Sequence, residues 1–528
     1  MNRIDIALDE DFPGCRSWLD SDTWRKIVSD GLEDEEPGPF LARVLFHCRR
    51  IGAPEFLPDL ARLEWHIRKI RQQEPPLLNR YGWAINPSLY LLEFHRKNLT
   101  ACLSSKDGEG PESGHEFIIV WRRPGSGDVC ARAASEEDLL MLKMISEGID
   151  RREIAKIGAL PVAAVDGAME RAAAKGILLA PVSRIRRDPR VGGRPPFDAE
   201  RFLASPAFTL QWHITQACDL HCRHCYDRSD RSTLALRQAM RILDDLEDFC
   251  RNRHVKGQVS FTGGNPLLHP DFSAIYKSAA ERGFTLAILG NPASREQLEE
   301  LVSIRMPDFF QVSLEGRPEY NDFIRGKGHF QRVMDFLVLL RELGIYAMVM
   351  LTLTKDNIGQ VLPLGERLKG KANVLHFNRL SPVGEGAALR LPEKEEYIAF
   401  LKEYLAASRQ NPILGIKDNL INILMHQEGA EPFGGCTGYG CGAAFNFLAL
   451  LADGEVHACR KFPSAVGNAL VQTLEAIYES DAARHYRSGC EECGPCPLRP
   501  VCGGCLALAR SHGGNVFKEK DPFCFLLP

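Results

Sequence analysis

The sequence lacks the long apolar segments and the charge bias that mark several large classes of protein. No uninterrupted apolar run in its 528 residues approaches the roughly 18 residues of a membrane-spanning helix. The net charge is −4, so no overall basic field is available to attract nucleic acid. The first residues, MNRIDIALDEDFPGC, carry acidic groups where a signal peptide has an apolar core. We therefore expect a cytoplasmic protein of several domains, with neither a membrane nor a nucleic acid as partner.

Cysteine, in contrast, is abundant, with 17 residues in the chain. In a reducing cytosol, thiols are more often metal ligands or catalytic groups than disulfides. Nine of the cysteines lie in the last 93 residues, and three form the motif CDLHCRHCYD at residues 218–227. The other five are isolated and are expected to pack as small buried apolar side chains: Cys15, Cys48, Cys102, Cys130 and Cys250.

The pattern before residue 200 predicts two small domains. Residues 1–88 place apolar side chains at helical spacing, which indicates a helical region. In residues 89–190, the strand-like runs LYLLEF and FIIVWRR flank the loop SSKDGEGPESG, and three helical segments and a strand-like ILLAPV follow. This order is typical of a winged helix. Residues 131–190 hold 11 basic and 9 acidic residues, a weak footprint for DNA, but a winged helix can also receive a peptide by strand addition.

Strand-like and helical segments alternate from residue 200 to 390, after the linker-like DPRVGGRPPFD. This alternation predicts an α/β fold, with a parallel sheet of about six units forming an open or partial barrel. Ligands of such sheets gather at the carboxyl ends of the strands. CDLHCRHCYD follows the first run, LQWHIT, and therefore belongs at that end. His213 in this run is expected to be a buried barrel residue. A helical connector is predicted for residues 391–430, and a cysteine-rich domain for residues 431–528.

The three cysteines of CDLHCRHCYD are too regular to be accidental. From the cysteine content, CxxxCxxC is expected about 0.02 times in a chain of this length. An iron–sulfur cube is commonly held by four cysteine thiolates. Three thiolates therefore leave one iron open to a substrate or a cofactor that can chelate it.

At these residues the chain resembles the radical S-adenosylmethionine (SAM) superfamily. The resemblance implies a partial (β/α)6 barrel in which Cys218, Cys222 and Cys225 hold a [4Fe–4S] cluster, with SAM bound to the open iron. It also implies reductive cleavage of SAM to methionine and a 5′-deoxyadenosyl radical, which takes a hydrogen atom from the substrate. The motifs GGNP, SLEGRPEYNDFIRG and NRLSPVGEG match family motifs, although Asn265 stands where the family has Glu. The residues expected near SAM are His224, Tyr226, Gly263, Gly264, Asn265, Pro266, Ser313, Arg325 and Arg379.

The C-terminal cysteines resemble the SPASM domain, which carries auxiliary [4Fe–4S] clusters in peptide-modifying radical SAM enzymes. The resemblance implies one cluster on Cys436, Cys441, Cys459 and Cys505, and a second on Cys493, Cys496, Cys502 and Cys524. Cys490 is left as a ninth thiol, which is interpreted as an alternative ligand, a catalytic group or a residue without a role. A structural zinc ribbon is the alternative, because paired CxxC motifs satisfy zinc as well.

The combined resemblance predicts a radical SAM peptide maturase. Arg460 stands where the sulfatase-maturing branch has an Asp base, which argues against formylglycine formation. The winged-helix region resembles the leader-recognition element of ribosomally made, modified peptides, and the whole arrangement is similar to selenobiotic and geopeptide maturases. The expected partners are a precursor peptide with its leader and a low-potential electron donor of the flavodoxin or ferredoxin type, and the expected product is a thioether or related cross-link. The alternatives are another radical SAM/SPASM branch, which oxidises a protein or acts on a small molecule, and an iron–sulfur winged-helix transcriptional regulator.

Overall fold

The computed structural model describes residues 11–28, 37–77, 82–103, 110–188 and 195–526. The chain divides into two compact units, the first ending at Val182 and the second beginning at Ser183. Most of the predicted loop SSKDGEGPESG and of the predicted linker DPRVGGRPPFD lies outside the described residues. Within the described ranges, no helix is long and apolar enough to cross a membrane.

The first unit begins with helices, continues with a small sheet and ends with three further helices and a short strand. Its first helices are α1 (Pro13–Trp18), α2 (Ser21–Val28), α3 (Pro37–Ile51) and α4 (Leu57–Gln72). The strands that follow are β1 (Ala84–Ile85), β2 (Tyr90–Lys97), β3 (Glu112–Arg122) and β4 (Val129–Ala133). The last elements are α5 (Glu136–Glu147), α6 (Arg151–Ile157), α7 (Val162–Ala174) and β5 (Leu178–Leu179).

Strands β2, β3 and β4 form an antiparallel sheet in that order, with apolar side chains on both faces. Ile118 and Val120 belong to one apolar core, and their neighbours in the strand, Ile119 and Trp121, belong to another, as the period of two in a strand requires. The sequence analysis missed β4, and β5 pairs with β1 instead of joining the three-stranded sheet. The winged-helix interpretation of this region stays a prediction.

The second unit is built on six parallel strands, each followed by at least one helix before the next strand. The strands are β6 (Ala207–Thr215), β7 (Lys256–Gly263), β8 (Thr285–Leu289), β9 (Phe309–Ser313), β10 (Ala347–Leu353) and β11 (Val374–Arg379). The helices are α8 (Glu200–Leu203), α9 (Leu236–Arg253), α10 (Phe272–Glu281), α11 (Arg295–Ile304), α12 (Pro318–Arg325), α13 (His329–Glu342) and α14 (Val361–Leu368). The strands pair in chain order from β6 to β11, which confirms the predicted α/β fold class with its six βα units.

The C-terminal segment adds strands to the free edge of β6. Helices α15 (Lys394–Ser408) and α16 (Ile421–Gln427) lead to β12 (Phe447–Leu450), β13 (Glu455–His457) and β14 (Ala465–Asn468). Strand β12 pairs in parallel with β6, so the barrel strands and the C-terminal strands form one sheet of nine strands. Helices α17 (Leu474–Tyr478), α18 (Asp481–Ser488) and α19 (Leu506–Ser511) follow.

Candidate active site

The loop CDLHCRHCYD begins just beyond the carboxyl end of β6, and the residues that lead into it, Thr215 to Ala217, pack against the two glycines of GGNP. The amide of Gly264 donates to the carbonyl of Thr215 at 2.8 Å, and the amide of Asn265 donates to the carbonyl of Ala217 at 2.7 Å. A Cβ on Gly263 or on Gly264 would stand 2.2 Å from one of these carbonyl oxygens. Only glycine allows this approach, so the backbone of GGNP and the cysteine loop are fixed together.

A cavity of about 930 Å³ opens at this end of the barrel. Its volume falls in the upper part of the range of cofactor and ligand sites. The sequence-predicted residues that line it are Cys218, Cys222, His224, Cys225, Tyr226, Gly263, Gly264, Ser313, Arg325 and Arg379. Asn265 and Pro266 are buried behind this lining, and Pro266 begins a short 3₁₀ turn.

Behind the cysteine loop, His224, Glu315 and Arg325 form a buried charged cluster. Glu315 is 1% exposed, and its carboxylate accepts from Arg325 Nε at 2.8 Å and lies 2.9 Å from Nε2 of His224. Burial alone would raise the pKa of Glu315, but the charges of Arg325 and His224 lower this pKa to about 2. Arg325 Nη1 also lies 3.7 Å from the Cys222 sulfur. Glu315 therefore holds a permanent charge that orients a guanidinium toward one cluster cysteine.

The sequence analysis missed Glu315, although it stands within the quoted motif SLEGRPEYNDFIRG. A carboxylate two residues beyond the end of a parallel strand was the signal available. It also missed Asn291, which follows β8 and whose side-chain amide donates to Asp219 at 2.6 Å and lies 3.7 Å from the Cys218 sulfur.

Asn265, the departure from the family motif, has a defined partner. Its side-chain amide donates to Oδ1 of Asp219 at 3.1 Å, and Asn291 donates to the same oxygen. Two neutral amides thus hold the carboxylate that follows Cys218 in the chain. A glutamate at position 265 would place a second negative charge against Asp219.

Arg379 is expected near SAM, but its hydrogen-bond partners are carboxylates of the chain. Its guanidinium is 4% exposed and donates to Asp418 at 2.8 Å and to both carboxylate oxygens of Asp521, at 2.9 and 2.7 Å. The two carboxylates raise the pKa of Arg379 against the opposing effect of burial. Although Arg379 lines the cavity, this occupied fork ties β11 to the C-terminal domain instead of leaving donors free for SAM.

The C-terminal cysteines fall into the two predicted sets. Cys436, Cys441, Cys459 and Cys505 line the same cavity as the CDLHCRHCYD cysteines. A second, smaller hollow is lined by Cys493, Cys496, Cys502 and Cys524. In the described part of the chain, no three His, Cys, Asp or Glu side chains converge on a single metal ion. Each set surrounds a shared space, an arrangement that suits a four-iron cluster with one thiolate on each iron.

The thiols of the first set are poorly solvated. Burial, together with the neighbouring thiols, raises the pKa of Cys441 to about 11 and that of Cys459 to about 12. Coordination to a metal deprotonates a thiol outright and compensates for this loss of solvation. The four residues therefore fit a cluster better than they fit a set of free thiolates.

Cys490 lines neither space. It is 3% exposed, and a hydrogen bond from the Cys493 thiol lowers the pKa of Cys490. It is thus a neighbour of the second set and not one of the thiols around its hollow.

The remaining predicted side chains line neither space, although Nε2 of His213 lies 3.5 Å from the hydroxyl of Tyr226. His213 is 1% exposed, and burial lowers its pKa well below the ordinary value. Of the isolated cysteines, four are buried and Cys130 is half-buried, and none lines the cavity or the hollow: Cys15, Cys48, Cys102, Cys130 and Cys250.

Comparisons with known proteins identify both parts of the second unit. Residues 212–367 match the family model of the Radical SAM superfamily, and residues 441–506 match that of SPASM, an iron–sulfur cluster-binding domain. The protein is thus an enzyme that carries a radical SAM domain. It carries a SPASM domain, so a [4Fe–4S] cluster that binds SAM and auxiliary iron–sulfur clusters are its cofactors.

Two curated relatives show how far this similarity extends. The chain is 26% identical to the AdoMet-dependent heme synthase of Methanosarcina barkeri, over 60% of this chain and 96% of that protein. It is 28% identical to the mycofactocin maturase MftC of Mycolicibacterium smegmatis, over 62% of this chain and 84% of that protein.

A solved structure shares the fold. Streptococcus suis SuiB, in its crystal structure bound to the precursor peptide SuiA, superposes with a TM-score of 0.51 and 16% identity. The match covers 78% of this chain and 96% of that chain.

Proposed function

We propose that this enzyme is a peptide maturase that modifies a ribosomally made precursor peptide. The observation that carries the proposal is the cavity of about 930 Å³, in which the CDLHCRHCYD loop and the first SPASM set face a common space. Cys218, Cys222 and Cys225 would hold a [4Fe–4S] cluster, which would supply the electron for reductive cleavage of SAM and so allow hydrogen to be taken from the peptide. Similarity to a mycofactocin maturase and a fold shared with a peptide-bound enzyme support a peptide as substrate.

In this proposal, the residues of the chain bind SAM and orient the groups around it. The backbone of Gly263 and Gly264, which lines the cavity, receives SAM, and the close approach of both glycines to the backbone of Thr215 and Ala217 holds it in place. Ser313 offers a hydroxyl from the end of β9, and Arg325, held by Glu315, keeps a positive charge beside Cys222. His224 shares the carboxylate of Glu315 and is therefore also fixed in place.

The product is a thioether or a related cross-link, as in the selenobiotic and geopeptide maturases that the motifs resemble. The formation of such a bond after hydrogen removal releases one electron. The two SPASM sets would hold clusters that could accept this electron, and a flavodoxin- or ferredoxin-type protein would supply the electron for the first step.

The first unit is proposed to bind the leader of the precursor peptide. Strand β2 is an outer strand of the three-stranded sheet, and Leu91 on it is 44% exposed. An extended peptide can add to such an edge through main-chain hydrogen bonds, while exposed apolar side chains set the specificity.

A small-molecule substrate is the second candidate, favoured by the similarity to heme synthases. The two candidates predict different effects of a substitution at Leu91 on peptide binding. In mRNA display of random peptides with the full-length protein, Leu91→Asp should abolish enrichment of the peptides that the parent protein enriches. Val338→Asp, a change at an equally exposed apolar position (42%), should not. A parent protein that enriches no peptides would favour the small molecule.

The radical chemistry is tested separately, by 5′-deoxyadenosine formation with dithionite and SAM. Cys222→Ala should reduce this product to background, because a cluster ligand is lost. Cys130→Ala removes a thiol from the first unit and should leave the rate unchanged. Cleavage by Cys222→Ala at the parental rate would overturn the proposal.

A further inference from the structure

Arg460 follows Cys459 of the first SPASM set and lines the cavity. Its guanidinium carbon lies 4.0 Å from the centroid of the Tyr226 ring, and Tyr226 directly follows Cys225. Arg460 therefore stands at the wall shared by the CDLHCRHCYD loop and the first SPASM set.

The other two guanidinium groups buried at the cavity have carboxylate partners. Arg325 is paired with Glu315, and Arg379 is paired with Asp418 and Asp521. Arg460 has no carboxylate at ion-pair distance among the described residues, and its buried Nε has no hydrogen-bond acceptor there. A buried donor without an acceptor costs about 1–3 kcal/mol, more when the group is charged, so such a group is normally satisfied by a ligand or water.

The stacking also determines which part of Arg460 is available. A guanidinium that packs its face on an aromatic ring keeps its edge free for hydrogen bonds. That edge presents parallel N–H donors, which match a carboxylate in bidentate geometry. In a largely enclosed cavity, this pairing is stronger than in water.

We infer that Arg460 binds a carboxylate of the substrate, from an acidic side chain or from the C-terminus of a peptide, beside the SAM-cleaving site. This inference rests on the proposed function and names the chemistry by which that site selects its substrate. The substrate class is thus a peptide with a carboxylate close to the residue that is modified.

Four small probes test this inference with the reconstituted full-length protein in the presence of saturating SAM. N-acetylaspartic acid α-amide and N-acetylasparagine amide compare a side-chain carboxylate with its neutral isostere. N-acetylalanine and N-acetylalanine amide make the same comparison for a C-terminal carboxylate. Equilibrium dialysis up to roughly 10 mM should show at least one acid bound about tenfold more tightly than its amide. The pair that shows the preference identifies the source of the carboxylate.

The preference should vanish in Arg460→Gln and weaken in Arg460→Lys, which keeps the charge but lacks the planar fork. Lys417→Gln removes another positive charge from the cavity wall and should keep the preference. Equal binding of acid and amide by the parent protein, no binding of either, or a preference that Arg460→Gln retains would each overturn the inference. A preference seen only without SAM would also overturn it, because the carboxylate of SAM would then be the partner.

The proposed function is tested by a measurement that does not depend on the carboxylate probes. Formation of 5′-deoxyadenosine by the parent protein with dithionite and SAM is measured in the same preparation. A parent protein that forms no 5′-deoxyadenosine would contradict the proposed function, whatever the probes show.

Discussion

At the scale of single residues, the contact between Asn265 and Asp219 explains why this chain departs from the family motif. The amides of Asn265 and Asn291 hold the Asp219 carboxylate beside Cys218, so the loop is fixed by neutral donors around one charge. A motif match compares positions one at a time. It therefore cannot show that a change at one position suits a carboxylate 46 residues earlier in the chain.

We predict that Asn265→Glu weakens SAM binding about tenfold, since two like charges meet next to a cluster cysteine. Asn265→Gln is the matched control, because it has the same length without the charge. The double variant Asn265→Glu with Asp219→Asn should recover most of the loss. Equilibrium dialysis measures the SAM affinity of the reconstituted parent protein and of the three variants. Equal affinities for Asn265→Glu and Asn265→Gln would contradict the explanation.

Glu64 is the second single residue with a measurable consequence. It is 1% exposed and accepts from the amides of Gly14 at 2.6 Å and Cys15 at 2.9 Å, which links α1 to α4. Burial raises the pKa of Glu64 from 4.5 to about 7, although these hydrogen bonds lower it. The folded state thus binds this proton more tightly than the unfolded state.

This difference predicts that the first unit loses stability as the pH rises from about 4.5 to about 7, by about 3 kcal/mol in total. Hydrogen exchange of the α4 amides in the full chain, corrected for intrinsic rates, measures the change. Glu64→Gln cannot titrate and should flatten the dependence, even though it loses one hydrogen bond. A parent protein with constant protection of α4 across this range would refute the prediction.

At the scale of elements, the six βα units of the barrel were predictable because each is marked by local patterns of apolar residues. Short-range spacing also marked the loop CDLHCRHCYD, whereas the two sets of SPASM cysteines were implied only by the resemblance to that domain. The pairing of β12 with β6 and the joining of β1 to β5 were missed, since both depend on contacts between distant residues. The partners of Arg379 were missed for the same reason.

Cys490 yields a prediction at this scale, because it lies outside the hollow of the second SPASM set. Cys490→Ser should keep the iron content of the parent protein after anaerobic reconstitution. Cys496→Ser is the matched variant within the set and should lose up to roughly four irons. Equal iron losses in the two variants would show that Cys490 is a ligand.

At the scale of the whole molecule, the buried group of Arg379, Asp418 and Asp521 connects the barrel to the C-terminal domain within the second unit. Removing the guanidinium leaves two buried carboxylates without a compensating positive charge, so Arg379→Met should destabilise this unit by about 3–5 kcal/mol. The midpoint of the denaturant transition measures this loss of stability. The midpoint of Arg379→Lys should lie between those of the parent protein and Arg379→Met. A folded Arg379→Met that fails only in SAM binding would instead support the role expected from the motif.

The continuous sheet of nine strands also constrains how the protein is made. Strand β6 can pair with β12 only after the barrel has been synthesised. Arg379 can pair with Asp521 only after another 142 residues have been added. Pairings between such distant segments form late, because closing long loops is slow. The ribosome therefore releases the CDLHCRHCYD segment well before the first SPASM set can close its side of the cavity. The cavity lined by both groups of cysteines can therefore be complete only after the whole second unit has been synthesised.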